Sequence, residues 1–237
     1  SSSSGRRAAP RAAAQRWWRR SRTGRGLLRA PPAAALPRRG LRFLHLGHGA
    51  GVFARLLSAV APGSTHVSVD LDGAVLDLSC HEAPHPGRTF TADALDYVSS
   101  SDETFDAIFV DIFDGENVCP AAFSEPPFLR DCQRILADDG VFVHNLHIGG
   151  KKRGAALERA ETALATAFHA AYRADAVDTT PNAGNALLLA AKRSLGRARL
   201  HEVAAEAQGH YGLRFDAATR CRMASAFCPR PTHATGR

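Results

Sequence analysis

Three glycines at alternate positions, Gly47, Gly49 and Gly51, close one apolar run and open the next. Backbone without side chains at such a turn lets a ligand approach closely. The start of the following helix adds a partial positive charge that suits an anionic or carboxylate group. The spacing is G-x-G-x-G, not the G-x-G-x-x-G of nicotinamide-binding turns. A tight strand-to-helix turn with no ligand would use the same glycines. Asp70 stands 23 residues beyond Gly47 at the end of the second apolar run, where a carboxylate can accept both hydroxyls of an adenosine ribose. Helix capping is the structural alternative for an acid there, but Asp72, immediately before Gly73, is better placed for it. Asp93 follows the third run in Thr91-Ala92-Asp93-Ala94, within reach of an adenine amino group, while Asp96 is the expected helix-start residue.

Asp111 ends a fourth apolar run and Asp114 follows three residues later. At the carboxyl edge of a parallel sheet both can face a crevice, bind a substrate ammonium and take the proton that an amine nucleophile must lose. Asp111 and Asp114 are therefore the candidate catalytic residues, with turn formation around Asp114-Gly115 as their structural alternative. Strand alternation puts His144 and Leu146 on one face and Asn145 and His147 on the other. His147 is a candidate for lining the site, as are His45 and His48, although a single strand histidine is more often a packed residue. The eleven histidines show no metal-ligand spacing and the five cysteines form no C-x-x-C pair, so no metal is expected.

These residues need a scaffold, and the chain supplies one. From Leu41 onward, short β-type runs alternate with helical stretches, which predicts a parallel sheet flanked by helices. Strands are expected at 41–46, 65–70, 88–91, 105–110 and 141–146, with a turn at Asp138-Asp139-Gly140 before the last. A helix over 155–171 carries Leu157, Ala160, Leu164 and Phe168 at helical spacing. Runs at 172–177 and 186–191 flank Thr179-Thr-Pro-Asn-Ala-Gly184 and read as an antiparallel hairpin. Five β-α units followed by such a hairpin predict an α/β, Rossmann-like fold with a mostly parallel seven-stranded sheet. A further helix is expected over 195–208, then a poorly patterned tail, so that 194–237 forms a C-terminal extension.

The formal charge of +7 belongs to one end of the chain. Residues 1–40 carry eleven arginines and no acid, which leaves 19 basic against 23 acidic side chains from residue 41 onward, a net −4. A basic nucleic-acid groove on the folded domain is not expected. The first 40 residues, rich in Ser, Ala, Arg and Pro, read either as a transit peptide or as a disordered basic extension. The lack of an initiator Met suggests a trimmed or incomplete N-terminus. No apolar run approaches the ~20 residues that span a bilayer. An odd number of scattered cysteines fits a reducing, intracellular compartment, the cytoplasm or, with a transit peptide, a plastid or mitochondrion.

Over 41–192 the chain resembles the spermidine-synthase-like branch of class I S-adenosylmethionine (SAM) methyltransferases. The residues that carry this are Phe105-Asp-Ala-Ile-Phe-Val-Asp111-Ile-Phe-Asp114, Pro120-Ala-Ala-Phe123, Phe128-Leu129 and Gly140-Val-Phe-Val-His-Asn-Leu-His147. Within that branch it looks most similar to the group around the C-terminal domain of methyltransferase-like protein thirteen. The resemblance implies that Gly47, Gly49, Gly51, Asp70 and Asp93 contact SAM. It implies methyl transfer to an amine of a protein or small molecule, or else aminopropyl transfer from decarboxylated SAM to a polyamine precursor. Polyamine synthases carry a D-x-x-D motif that Asp111 and Asp114 match, but also an acid in the glycine-rich turn where this chain has Ala50. They place a β-hairpin domain ahead of the first strand, which is not evident before Leu41. Both departures favour methyl transfer. A non-catalytic SAM-fold binding protein is the remaining alternative, and a homodimer stays open.

Overall fold

The computed structural model describes residues 40–148, 150–177 and 184–194, together with 202, 205, 225 and 226. In chain order the elements are β1 (Arg42–Leu46), α1 (Val52–Val60), β2 (Thr65–Asp70), α2 (Gly73–Glu82), β3 (Arg88–Thr91), α3 (Ala94–Ser100) and β4 (Phe105–Val110). A 3-10 turn (Ala121–Ser124), α4 (Pro126–Ile135), β5 (Leu136–His147), α5 (Lys151–Ala167), β6 (Ala170–Val177), β7 (Gly184–Ala191) and β8 (Ser225–Ala226) follow.

All of these strands join one sheet in the order β3-β2-β1-β4-β5-β7-β6-β8. The first five run parallel, whereas β7 is antiparallel to β5 and to β6, as the hairpin pattern predicts. The fold is Rossmann-like and mostly parallel, with the antiparallel pair at its C-terminal side. Chain direction across the sheet reverses between β1 and β4, and that switch point opens a crevice at the carboxyl ends of the strands. Gly47, Asp70, Asp93 and Asp111 all lie beyond or at those ends.

Several boundaries move. The seven strands gain an eighth, β8, whose Ser225 and Ala226 pair with Arg173 and Tyr172 of β6. β5 begins at Leu136, so Asp138-Asp139-Gly140 lies within an irregular strand and not ahead of one: the register shifts between Phe105 and Ala107 of its partner β4. Helix α5 starts at Lys151, four residues before the apolar stripe made it visible, and ends at Ala167. Asp93, not Asp96, caps α3, because its side chain accepts the Leu95 N–H. Apart from Glu202 and Ala205, the residues of the helix expected over 195–208 lie outside the described residues, as do residues 1–39 of the N-terminal tail.

The two faces of the sheet are packed differently. On the α3, α4 and α5 side, Leu44, Leu46, Ile108, Phe142, Phe128 and Leu164 make one continuous apolar core. On the α1 and α2 side, alternate β1 residues Phe43 and His45 meet a smaller cluster with Ala61, Ala107 and Phe109. Here neutral histidines replace hydrocarbon. His45 Nε2 meets His66 Nδ1 at 3.0 Å, and His66 Nε2 meets the Ser64 hydroxyl at 2.9 Å. Burial drives His45 down to about 3 and His66 to about 4, helped in each case by neighbouring histidines.

Candidate active site

The glycine-rich turn is shaped first by its neighbours. Asp111 N donates to Leu46 O at 2.8 Å and Gly47 N to Val69 O at 2.9 Å, so β1, β2 and β4 converge where the turn begins. A Cβ on Gly47 would overlap the Asp111 carbonyl, and its φ of 88° lies in the left-handed region. Gly49 and Gly51 also have positive φ, 52° and 66°, and Gly51 is the N-cap of α1 with no side-chain cap. The turn is a rigid backbone cradle exposed at Gly49: the N–H groups of Gly47 and Gly51 are held by the Val69 and His48 carbonyls, and a Cβ on Gly51 would meet the His48 ring and Arg55.

Asp70 organises this cradle from β2. Its Oδ2 accepts the backbone N–H groups of His48 (2.9 Å) and Gly49 (3.2 Å), and Oδ1 accepts that of Asp72 (3.0 Å). A carboxylate offers about four acceptor positions, so one remains for a ligand hydroxyl at its partly exposed edge. Capping of α2 falls to Asp72, which accepts Ala74 N at 2.9 Å, as expected. Beside Asp70 stands Leu71, 75% exposed, a large apolar surface at the cleft that sequence patterning did not single out. Asp93 is exposed and caps α3 through Oδ1, 2.8 Å from Leu95 N. That cap fixes its side chain at the end of β3.

On the other side of the switch point, Asp111 stands at the end of β4. Asn145 Nδ2 donates to its Oδ1 at 2.8 Å, and Asn145 Oδ1 in turn accepts Asn185 Nδ2 at 2.7 Å. The Asp111 side chain keeps an exposed face although protein crowds it on its remaining sides, as befits a crevice. That crowding raises its carboxyl above the usual range, against the lowering effects of Asn145's hydrogen bond and of His147. The His147 ring lies 4.4 Å from that of Phe113, and desolvation, followed by the Arg153 charge, lowers its pKa. Burial alternates along β5 as expected, with His144 and Leu146 inward and Asn145 and His147 toward the site.

Asp114 does not join Asp111 as a paired carboxylate of the same kind. Its Oδ1 accepts Glu116 N at 2.8 Å and Val118 N at 2.9 Å, closing its own loop, and these bonds hold its carboxyl below the ordinary range. The structural alternative of turn formation describes Asp114 well. The loop is then tied to α5, because Lys152 pairs with the Glu116 carboxylate and Arg153 reaches the Glu116 carbonyl. Cys119, in the same loop, meets His144 Nε2 at 3.2 Å, and burial pushes its thiol up to about 12. His45 and His48 are packed and do not line the cleft: His48 Nε2 meets Ser79 Oγ at 2.9 Å beneath α2. Among the described residues, no group of three or more His, Cys, Asp and Glu side chains is placed to hold a metal ion. No described helix is long and apolar enough to cross a membrane.

Known proteins resemble this chain in sequence and in fold. A methyltransferase domain matches residues 44–144. The chain is 35% identical over 119 residues to the polyamine aminopropyltransferase of Neisseria meningitidis serogroup A, covering 48% of this chain and 45% of that protein. It is 33% identical over 182 residues to the polyamine aminopropyltransferase of Chromobacterium violaceum, covering 73% of this chain and 66% of that one. The chain thus spans about half to two thirds of the length of these relatives. Among solved structures, human methyltransferase-like protein 13 in complex with SAH gives a TM-score of 0.61 at 21% identity, covering 92% of this chain and 96% of that chain. A probable spermidine synthase from Corynebacterium glutamicum gives 0.59 at 24% identity, covering 84% and 75%. At those identities the likeness concerns the fold.

Proposed function

This chain carries a methyltransferase domain of the Rossmann-like type, and from that premise we propose that it is a SAM-dependent transferase moving a methyl group to an amine of a protein or small molecule. The observation that carries the proposal is the convergence, across one switch point, of a bare glycine turn braced by Asp70 and a crevice carboxylate, Asp111, oriented by Asn145. In this proposal the Gly47–Gly51 turn and Asp70 hold SAM, with Leu71 against the adenine and Asp93 within reach of its amino group. When bound, SAM supplies a methyl group activated by its sulfonium. Asp111 orients the acceptor nitrogen for in-line attack and takes the proton that the amine loses. Phe113 and His147 wall the acceptor side. Asp114 contributes by shaping the loop.

Aminopropyl transfer from decarboxylated SAM has its own support. The curated relatives at 33–35% identity are polyamine aminopropyltransferases, and the D-x-x-D spacing of Asp111 and Asp114 suits a polyamine precursor. Against it stands Ala50, buried, with its carbonyl held by the Arg55 guanidinium. The turn offers no carboxylate there to hold a propylammonium group, and a charged hydrogen bond of that kind contributes about 1.5–3 kcal/mol. The test is mass spectrometry of products after incubation with SAM plus a lysate fraction, and in parallel with decarboxylated SAM plus putrescine. Methylated product supports the first proposal and aminopropylated putrescine the second. Nucleotide binding with neither product would leave a non-catalytic binding protein.

A further inference from the structure

Asn145 and Asn185 come from different strands, yet their amides form a directed chain that ends on Asp111. The β5–β7 register sets Asn185 directly opposite His147, which makes Asn145, two residues back on β5, its diagonal neighbour on the same face. The β4–β5 register pairs Val110 with His144 and so brings Asn145 beside Asp111. Backbone pairing continues past the strand end, with Ile148 N donating to Gly184 O at 3.0 Å, and this fixes the start of β7 against the site.

We propose that Asn145 and Asn185 are positioning residues, a two-amide relay that orients the Asp111 carboxylate toward the acceptor. The inference rests on the role given to Asp111 above. An ionised carboxylate only accepts hydrogen bonds, so Asn145 must turn its NH2 toward Asp111. Its carbonyl oxygen then points away and needs a donor, which Asn185 Nδ2 supplies at 2.7 Å. Without that donor, nothing in the pair prevents the Asn145 amide from flipping and presenting oxygen to oxygen. The relay therefore selects one amide orientation, and through it the ionised form of Asp111. The other titratable groups acting on this locus are His147 on β5 and Cys119 in the loop after β4, with Arg153 of α5 acting on His147.

Asn185→Asp reverses the chain. A carboxylate at that position draws the Asn145 NH2 to itself, leaving the Asn145 oxygen facing Asp111, an arrangement that favours protonated Asp111. Asn185→Leu removes the donor without adding charge. The readout is the pKa of Asp111 in the full chain from 13C titration of aspartate carboxyl carbons, its signal assigned with Asp111→Asn. Asn185→Asp should raise that pKa by about one unit or more, and Asn185→Leu by less. A cycle with Asn145→Leu, or Asn145→Ser where the larger residue disturbs folding, separates relay from through-space charge. The shift caused by Asn185→Asp should largely vanish once Asn145 is gone. An equal shift in both backgrounds, or none in either, overturns the relay. If Asp111→Asn retains full transfer activity while the cycle shows coupling, it is the acceptor role of Asp111 that fails and the relay that stands.

Discussion

Lowering the pH from 7.5 to 5 should unfold much of this domain's stability, because four histidines are packed in their neutral form. His45, His48, His66 and His144 are all buried, at 4%, 7%, 1% and 0% exposure. Desolvation by burial is the first cause in each case, and it takes His45 to about 3 and the other three to about 4, from an ordinary 6.5. For His45 and His66, hydrogen bonding adds a limit on double protonation. In the Ser64–His66–His45 chain one nitrogen between the rings donates and the other accepts, so a proton on one ring can be placed but protonating both sets donor against donor. Because the folded pKa values are depressed, the unfolded chain binds more protons once the pH drops below about 6.5. This contribution is fully present above 6.5 and is lost as the pH falls toward 3–4. At pH 5 each unfolded histidine is almost fully protonated and each folded one almost neutral, a difference of about 2 kcal/mol per residue. Four of them reach about 8 kcal/mol, comparable with the whole stability of an ordinary domain. Coupling among His45, His66 and their neighbours makes that sum an upper figure. The assay is urea unfolding from pH 7.5 down to 5, with the slope of stability against pH giving the proton difference. His144→Phe should lower that slope by about one proton near pH 5. A slope below one proton throughout this range would refute the assignment of neutral, buried histidines.

Asp70→Ala should weaken SAM binding about 10- to 100-fold, since a hydrogen bond to a charged group contributes ~1.5–3 kcal/mol; calorimetric titration checks it, and unchanged affinity removes Asp70 from the site. Gly47→Ala should destabilise the fold by at least ~1–3 kcal/mol, from the left-handed backbone and the overlap with the Asp111 carbonyl. A change below ~0.5 kcal/mol in denaturant unfolding, the range of ordinary surface substitutions, would contradict that geometry. Phe142→Ala, fully buried between Phe128 and Phe168, should cost about 3–5 kcal/mol; a loss under half of that in the same assay would show that the core collapses around the gap.

How much of this was legible in the chain depends on how local each cause is. Strand runs, the glycine turn and the acids at strand ends are written in types and short spacings, because alternation and turn chemistry act over a few residues. So the parallel order, the terminal hairpin and the positions of Gly47, Asp70, Asp93 and Asp111 could be read directly. The inward and outward faces of His144, Asn145, Leu146 and His147 followed from strand alternation alone. Asp93 was anticipated at the end of β3, but its capping of α3 was assigned to Asp96, since both acids stand near the helix start and only backbone geometry chooses between them.

Other features depend on residues far apart in the sequence. Asn145 and Asn185 are 40 residues apart and carry no shared motif; the β5–β7 register makes them partners and aims them at Asp111. The same holds for the neutral histidines, since His45 and His66 meet only because β1 and β2 pair in the register that sets them near each other. Asp111 and Asp114 looked alike as a spaced pair, yet one faces the crevice and the other closes a loop, because each carboxylate's role is set by the N–H groups that reach it. The amino-acid order thus determined which elements form and which chemistry-bearing residues end them. Tertiary structure decided which of those residues meet and, by excluding water from some and not others, which charge states they can hold.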